Sequence, residues 1–244
     1  MFENGMLKTG ADVQDLQMQL LTAGSEAEFL AALVRAAGEL GFEYCSYRMR
    51  TSLPLSNPKL VWLNNYSEDW QQRYVEENYF LIDPTVAHGL KSVMPLVWSE
   101  QLFHQCPRFR DEASEHGLRF GWSQAFYDAK GVGGLLTLAR SKVPLSELEL
   151  KENSLKMSWL GQVAHQGLSR LILGERAPDG QIMLTNREAE VLRWSADGKT
   201  ASEVGEIMNI AERTVNFHVN NALEKLGACN KTAGVIKAAM LRLL

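Results

Sequence analysis

Apolar side chains between residues 25 and 41 recur at helical spacing. Phe29, Leu30, Leu33, Val34 and Ala37 follow Ser25 and Glu28, a capping-box pair whose hydroxyl and carboxylate can satisfy the free backbone donors of a first turn. Gly41 is expected to stop this helix. Four short runs, rich in aromatic and aliphatic residues and bounded by Pro, Gly or Asn, predict strands at Tyr44 to Met49, Leu60 to Leu63, Trp122 to Tyr127 and Leu135 to Ala139. A long helix is predicted from Ser146 to Leu173, with Leu148, Leu155, Trp159, Val163, Leu168 and Leu171 as its apolar stripe. Such an alternation predicts a sheet flanked by helices, an α/β/α sandwich within an α+β chain.

The periodicity breaks after Leu173. Residues 174–181 combine two glycines, a proline and charges with no apolar pattern, so the chain divides into a first domain at 1–173, a linker at 174–182 and a second domain at 183–244. Everything beyond the linker reads as helix. Thr185 to Glu188 and Thr200 to Glu203 are capping boxes, the first opening a helix with Ala189, Val191, Leu192 and Ala196 inward, the second a short helix with Val204, Ile207 and Met208 inward. Asn209 and Ile210 alone separate it from a longer helix running from about Ala211 to Leu226 and stopped by Gly227, and a last helix follows Asn230. Two helices joined by so tight a turn make a helix-turn-helix.

On the longer helix Val215, Val219, Ala222, Leu223 and Leu226 share the packed face. The opposite face carries Asn216, Phe217 and Asn220. Asn side chains bond base edges bidentately and an exposed Phe presses on a thymine methyl, so this face has the chemistry of a major-groove reader. Arg213, Thr214, Lys199 and Lys231 stand at helix starts or in loops, where they reach phosphates. The net charge of −4 looks like an argument against nucleic acid, but the segment from Met183 to Leu244 holds eight basic against seven acidic residues. That leaves the second domain at +1 and the rest of the chain at −5.

Composition adds few constraints. At 45% apolar and 22% charged the chain is globular, and its longest apolar runs fall far short of a membrane span, so a soluble, cytoplasmic protein with no membrane partner is expected. Three cysteines at unrelated spacings, Cys45, Cys106 and Cys229, predict reduced, mostly buried thiols rather than disulfides. Five histidines show no metal-ligand spacing and no nucleophile is paired with a base, so neither a cofactor, a metal nor an enzyme is expected. In the first domain Tyr66, Trp70 and Tyr74 recur every four residues, which puts three polar-tipped rings on one helix face. Asp83 stands in the apolar run Phe80 to Pro84, where a carboxylate needs donors, and Trp98 follows Pro95, Leu96 and Val97. Aromatic walls around an acid suit a neutral amphiphile with an amide N–H and carbonyls.

The segments Leu184 to Met208 and Glu212 to Ala228 closely resemble the DNA-binding domain of LuxR-type transcriptional regulators, with Glu188, Leu192 and Gly198 at signature positions. The resemblance implies a four-helix domain that puts its third helix in the major groove of double-stranded DNA, as a homodimer on a palindromic site, with contact to RNA polymerase. Residues 25 to 170 resemble the autoinducer-binding domain of the acyl-homoserine-lactone receptors of that family, through Asn65 to Tyr74, Ile82 to Val86, Val97 to Ser99, Gly117 to Gly121 and Leu136 to Arg140. By that resemblance Trp70 donates to the lactone carbonyl and Asp83 accepts the amide N–H. Tyr66, Tyr74 and Thr137 serve the acyl carbonyl region, Thr85 belongs to the same site, Trp98 packs on the lactone ring, and Gly121 allows close backbone packing beside it. The implied ligand is an N-acyl-homoserine lactone. Arg48 departs from the pattern, since the family usually has glycine there; the strand pleat sends it either into the acyl channel or outward to the rim. Two other functions stay open: an orphan regulator answering to a different small molecule or to none, and a lactone hydrolase using Asp83 as base, for which no nucleophile or metal ligands stand by.

Overall fold

The computed structural model describes residues 10–52, 54, 57–129, 131–174 and 182–244, in two compact units. The first contains β1 (Tyr44–Arg50), β2 (Leu60–Asn64), β3 (Leu96–Val97), β4 (Phe120–Tyr127) and β5 (Gly133–Arg140), an antiparallel sheet in the order β2-β1-β5-β4-β3. Its helices are α1 (Gly10–Thr22), α2 (Glu26–Glu39), α3 (Glu68–Glu76), α4 (Pro84–Gly89), α5 (Glu100–Phe103), α6 (Pro107–Glu115) and α7 (Glu147–Leu173), with a 3-10 turn at Tyr79–Leu81. The two-residue β3 is too short to leave a period in the sequence.

Strand alternation assigns the two faces of the sheet. Cys45, Tyr47 and Met49 of β1, Leu136 and Leu138 of β5, and Trp122 and Phe126 of β4 join α1, α2 and α7 in the main core. Ser46, Arg48, Ser123, Thr137 and Ala139 have the opposite parity and meet the layer built by α3 to α6. Both faces are covered, which is why β5 reads as a nearly continuous apolar run rather than as alternation.

Several sequence expectations need correction. Ser25 accepts from the Glu28 N–H, but the Glu28 carboxylate turns to the Gly24 N–H, so only half of that capping box forms. On α7 Leu148, Leu155 and Trp159 are exposed, and the buried face is Met157, Leu160, Gly161, Val163, Ala164, Gly167 and Leu168. Small residues win that face because a side chain at Gly161 would strike the Phe126 ring and one at Gly167 the Leu20 carbonyl. The cysteines match the expectation of mostly buried, reduced thiols: Cys45 and Cys106 are buried, with burial pushing the Cys45 thiol up to about 12, and Cys229 is exposed. Most of the expected linker falls on residues 175–181, outside the described residues.

The second unit is α8 (Asn186–Ala196), α9 (Ala201–Met208), α10 (Glu212–Leu226) and α11 (Lys231–Met240). Both capping boxes form with their reciprocal bonds, at Thr185 with Glu188 and at Thr200 with Glu203. Asn209 takes the left-handed conformation and the Ile210 N–H bonds the Gly205 carbonyl, which closes the turn between α9 and α10. A Cβ at position 205 would lie 2.8 Å from the Ile210 oxygen, so the turn needs glycine there. Val191, Val204, Met208, Val215 and Val219 form one cluster, and Leu192, Ala222, Leu226 and Ala238 another. Ala196 and Ile207, expected inward, are exposed. Ala196 ends its helix beyond the core, and the i, i+4 pair Val204 and Met208 fills the contact that Ile207 was expected to share. Glu188 is buried and bonded by Lys225 at 2.7 Å and by the Thr185 N–H at 2.8 Å. Burial alone would raise its carboxyl, but those donors hold it below the usual carboxylate range.

Candidate ligand cavity and nucleic-acid interface

A cavity lies between the sheet and the α3 to α6 layer. Tyr66, Trp70, Tyr74, Asp83, Thr85, Trp98 and Thr137, all singled out from the sequence, line it together with Arg48, Phe103, Phe109, Arg110, Ala113 and Leu118. Its volume is about 30 Å³, measured as space for the centres of water molecules, or roughly two waters. The five unpredicted residues other than Arg48 come largely from α5 and α6. Phe109 and Ala113 at i, i+4 carry only the signal of an ordinary buried face, which does not separate a cavity wall from core.

Trp70 and Tyr74 project from α3, which Ser67 caps by accepting the Trp70 N–H. Tyr66 precedes that cap, so it is not on the helix as the four-residue spacing predicts; it reaches the same cavity from the loop after β2. Trp70, Tyr74, Tyr79 and Phe109 pack ring against ring at centroid distances of 5.1 to 6.1 Å. Burial pushes the phenols of Tyr66 and Tyr74 up, so both remain protonated donors near neutral pH.

Asp83 is the N-cap of α4 and is buried. Its Oδ1 accepts from the Thr85 N–H at 2.9 Å and the Thr85 hydroxyl at 2.6 Å; its Oδ2 accepts from the Tyr74 hydroxyl at 2.9 Å and Arg48 Nη1 at 3.2 Å. A carboxylate offers about four acceptor sites, and all are taken. Arg48 therefore turns inward rather than to the rim: its guanidinium lies 4.8 Å from the ring centre of Trp62, its cross-strand partner, and 4.5 Å from that of Tyr74.

At the other end Trp98 Nε1 donates to Ser123 Oγ at 3.1 Å, and that hydroxyl meets Thr137 Oγ1 at 3.1 Å. Gly121 does not line the cavity but backs its wall, since a Cβ there would stand 2.6 Å from the Trp98 ring. A polar clamp joins α3 to α6: Glu112 accepts from Arg73 at 2.8 and 3.0 Å, from Tyr79 at 2.6 Å and from Arg108 at 2.9 Å. The Arg73 guanidinium, with help from Tyr79 and Arg108, pulls the Glu112 carboxyl down to about 2 despite partial desolvation.

In the second unit Arg213, Asn216, Phe217 and Asn220 are exposed on one side of α10, with Phe217 at 59% exposure. Thr214 is half-buried in the first turn. Lys231 is exposed at the start of α11, and Lys199 lies 3.7 Å from Glu203 with much of its side chain in solvent. A large exposed ring amid asparagines and cations is a surface built for contact rather than for its own fold.

A helix-turn-helix carried on one chain with an α/β unit enclosing an aromatic cavity defines the class of ligand-sensing transcription regulators. The chain belongs to the LuxR family of bacterial regulatory proteins: residues 183–238 match the family's regulatory domain and residues 25–168 the autoinducer binding domain. It is a transcriptional regulator, not an enzyme. It is 42% identical to the transcriptional activator AnoR of Acinetobacter nosocomialis, over 95% of this chain and 98% of that protein. The crystal structure of Escherichia coli SdiA superposes with a TM-score of 0.72 at 30% identity, covering 96% of this chain and 98% of that one. The N-acylhomoserine-lactone-dependent LuxR-family factor CepR2 of Burkholderia cenocepacia gives a TM-score of 0.60 at 31% identity, over 66% of this chain and 95% of that one. No helix among the described residues is long and apolar enough to cross a membrane.

Proposed function

We propose that this chain is a cytoplasmic acyl-homoserine-lactone receptor that binds its signal in a domain spanning 1–173. As a homodimer it reads a palindromic promoter site through a domain spanning 183–244, within reach of RNA polymerase. The observation that carries the ligand reading is the buried Asp83 carboxylate, ringed by donors inside aromatic walls. The lactone dependence of CepR2 supports the ligand class. In this reading Asp83 accepts the amide N–H, Trp70 donates to the lactone carbonyl, and Trp98 stacks on the lactone ring. Tyr66, Tyr74, Thr85 and Thr137 serve the acyl carbonyl region. On DNA, Asn216, Phe217 and Asn220 face base edges, while Lys199, Arg213, Thr214 and Lys231 take phosphates.

A cavity of about 30 Å³ is far below the several hundred of a typical small-molecule site, so the walls part as ligand enters. Binding then couples to packing of the whole α3 to α6 layer. Purified full-length protein should gain roughly 2.7 kcal/mol at a lactone concentration 100 times Kd, a rise in Tm of about 5–10 °C. Asp83→Asn keeps a helix cap but removes the charged acceptor and the counter-charge of the buried Arg48, and is expected to abolish that rise and to lower the unliganded Tm as well. A Tm that no lactone of any chain length shifts would sink the receptor reading and leave an orphan regulator.

A further inference from the structure

We propose that Arg48 sets the signal specificity of this cavity: it makes the site select acyl groups with a neutral oxygen, keto or hydroxyl, on the third carbon over unsubstituted chains. The inference rests on the lactone-receptor reading and deepens it.

All the acceptor sites of Asp83 are occupied, so an incoming amide N–H must displace one donor. The two donors from Thr85 are bound into the first turn of α4, and the Tyr74 phenol is fixed by its packing against Trp70, Trp62 and Phe109. Arg48 makes the longest of the four contacts, 3.2 Å, through the most flexible side chain. It is the donor that yields.

A displaced guanidinium has little room to leave. Only 17% of the side chain is exposed, and its plane is held beside Trp62 and Tyr74. The Trp62 indole N–H is already given to Ser46 Oγ at 2.8 Å, so it does not substitute as a donor. Arg48 thus remains beside Asp83, still balanced in charge, with N–H groups that require a new acceptor in a place poorly reached by water. The third acyl carbon lies three bonds beyond the amide nitrogen that Asp83 would hold, and an oxygen on it falls next to this guanidinium. An unsubstituted methylene there leaves the donors unpaired. Because Arg48 and Asp83 together are neutral, the matching group is a neutral oxygen rather than a carboxylate.

The test measures affinities of the full-length protein for octanoyl- and 3-oxo-octanoyl-homoserine lactone, and repeats them on Arg48→Met, which keeps length and removes the donors. Wild type is expected to prefer the 3-oxo lactone roughly tenfold or more, the cost range of an unpaired buried donor, and the variant to bind the two within about threefold. Equal affinities in wild type, or an undiminished preference in Arg48→Met, overturn the proposal alone. If neither these two lactones nor a matched pair of any other chain length binds, the receptor reading is overturned and the proposal with it. The wild-type pair decides even where the variant fails to fold.

Discussion

The cavity of the first unit and the exposed face of α10 solve recognition in opposite ways. Around Asp83 every side chain is engaged with another: Tyr74 bonds the carboxylate, packs on Trp70 and lies beside Arg48. On α10, Asn216, Phe217 and Asn220 stand on a helix whose other side is already packed by Val215, Val219 and Ala222. A site made from its own core cannot change without changing the fold, whereas a site laid over a finished core can. Stability and recognition should therefore be coupled in the first unit and separable in the second.

The largest blow to that contrast is Trp70→Ala. Removing a ring that is 1% exposed and central to the aromatic cluster is expected to cost about 3–5 kcal/mol and the ligand response together; calorimetry with and without lactone reads both. Full retention of Tm would show that the cavity is not part of the core. Next comes Asn216→Ala, expected to lose about 1–3 kcal/mol of binding to the operator with far less loss on random DNA. Its unfolding midpoint should stay within roughly 0.5 kcal/mol of wild type. Fluorescence anisotropy on both DNAs checks this, and equal losses would reassign Asn216 to phosphate contact.

The smallest effect concerns the clamp over the cavity. The Glu112 carboxyl, at about 2 in the folded chain, sits below its ordinary value of 4.5. A depressed folded pKa stabilises above the unfolded pKa, and that contribution is lost as pH falls from about 4.5 toward 2. Glu112→Gln should remove this part of the acid slope, about 1 kcal/mol after allowance for solvent screening of the partly exposed Arg73. Urea midpoints at pH 5 and pH 3 measure it, and an unchanged slope would mean that Glu112 is not the group responsible.

What could be read from the sequence follows the range of the interactions involved. Helix starts at Ser146, Thr185, Thr200 and Asn230 were legible because each cap is made within three residues. The central strands were legible from residue type and punctuation. The inward face of α7 was legible only at Val163 and Leu168, because the closest packing falls on Gly161 and Gly167, which carry no hydrophobic signal. Nor was the orientation of Arg48: parity allowed either face, and the deciding partner, Asp83, is 35 residues away. Around the cavity, the polar and aromatic residues stood out by their chemistry, while Phe109, Ala113 and Leu118 look in sequence like any buried side chains.

The three thiols also make the protein a convenient subject for chemical labelling. Cys45 and Cys106 are buried, and burial raises both above the ordinary thiol range, so neither presents a thiolate near neutral pH. Cys229 alone is exposed, just ahead of α11. A maleimide dye added to the native, unmutated chain will attach there, and its brightness and anisotropy will report events in the second unit without a cysteine having to be introduced or removed.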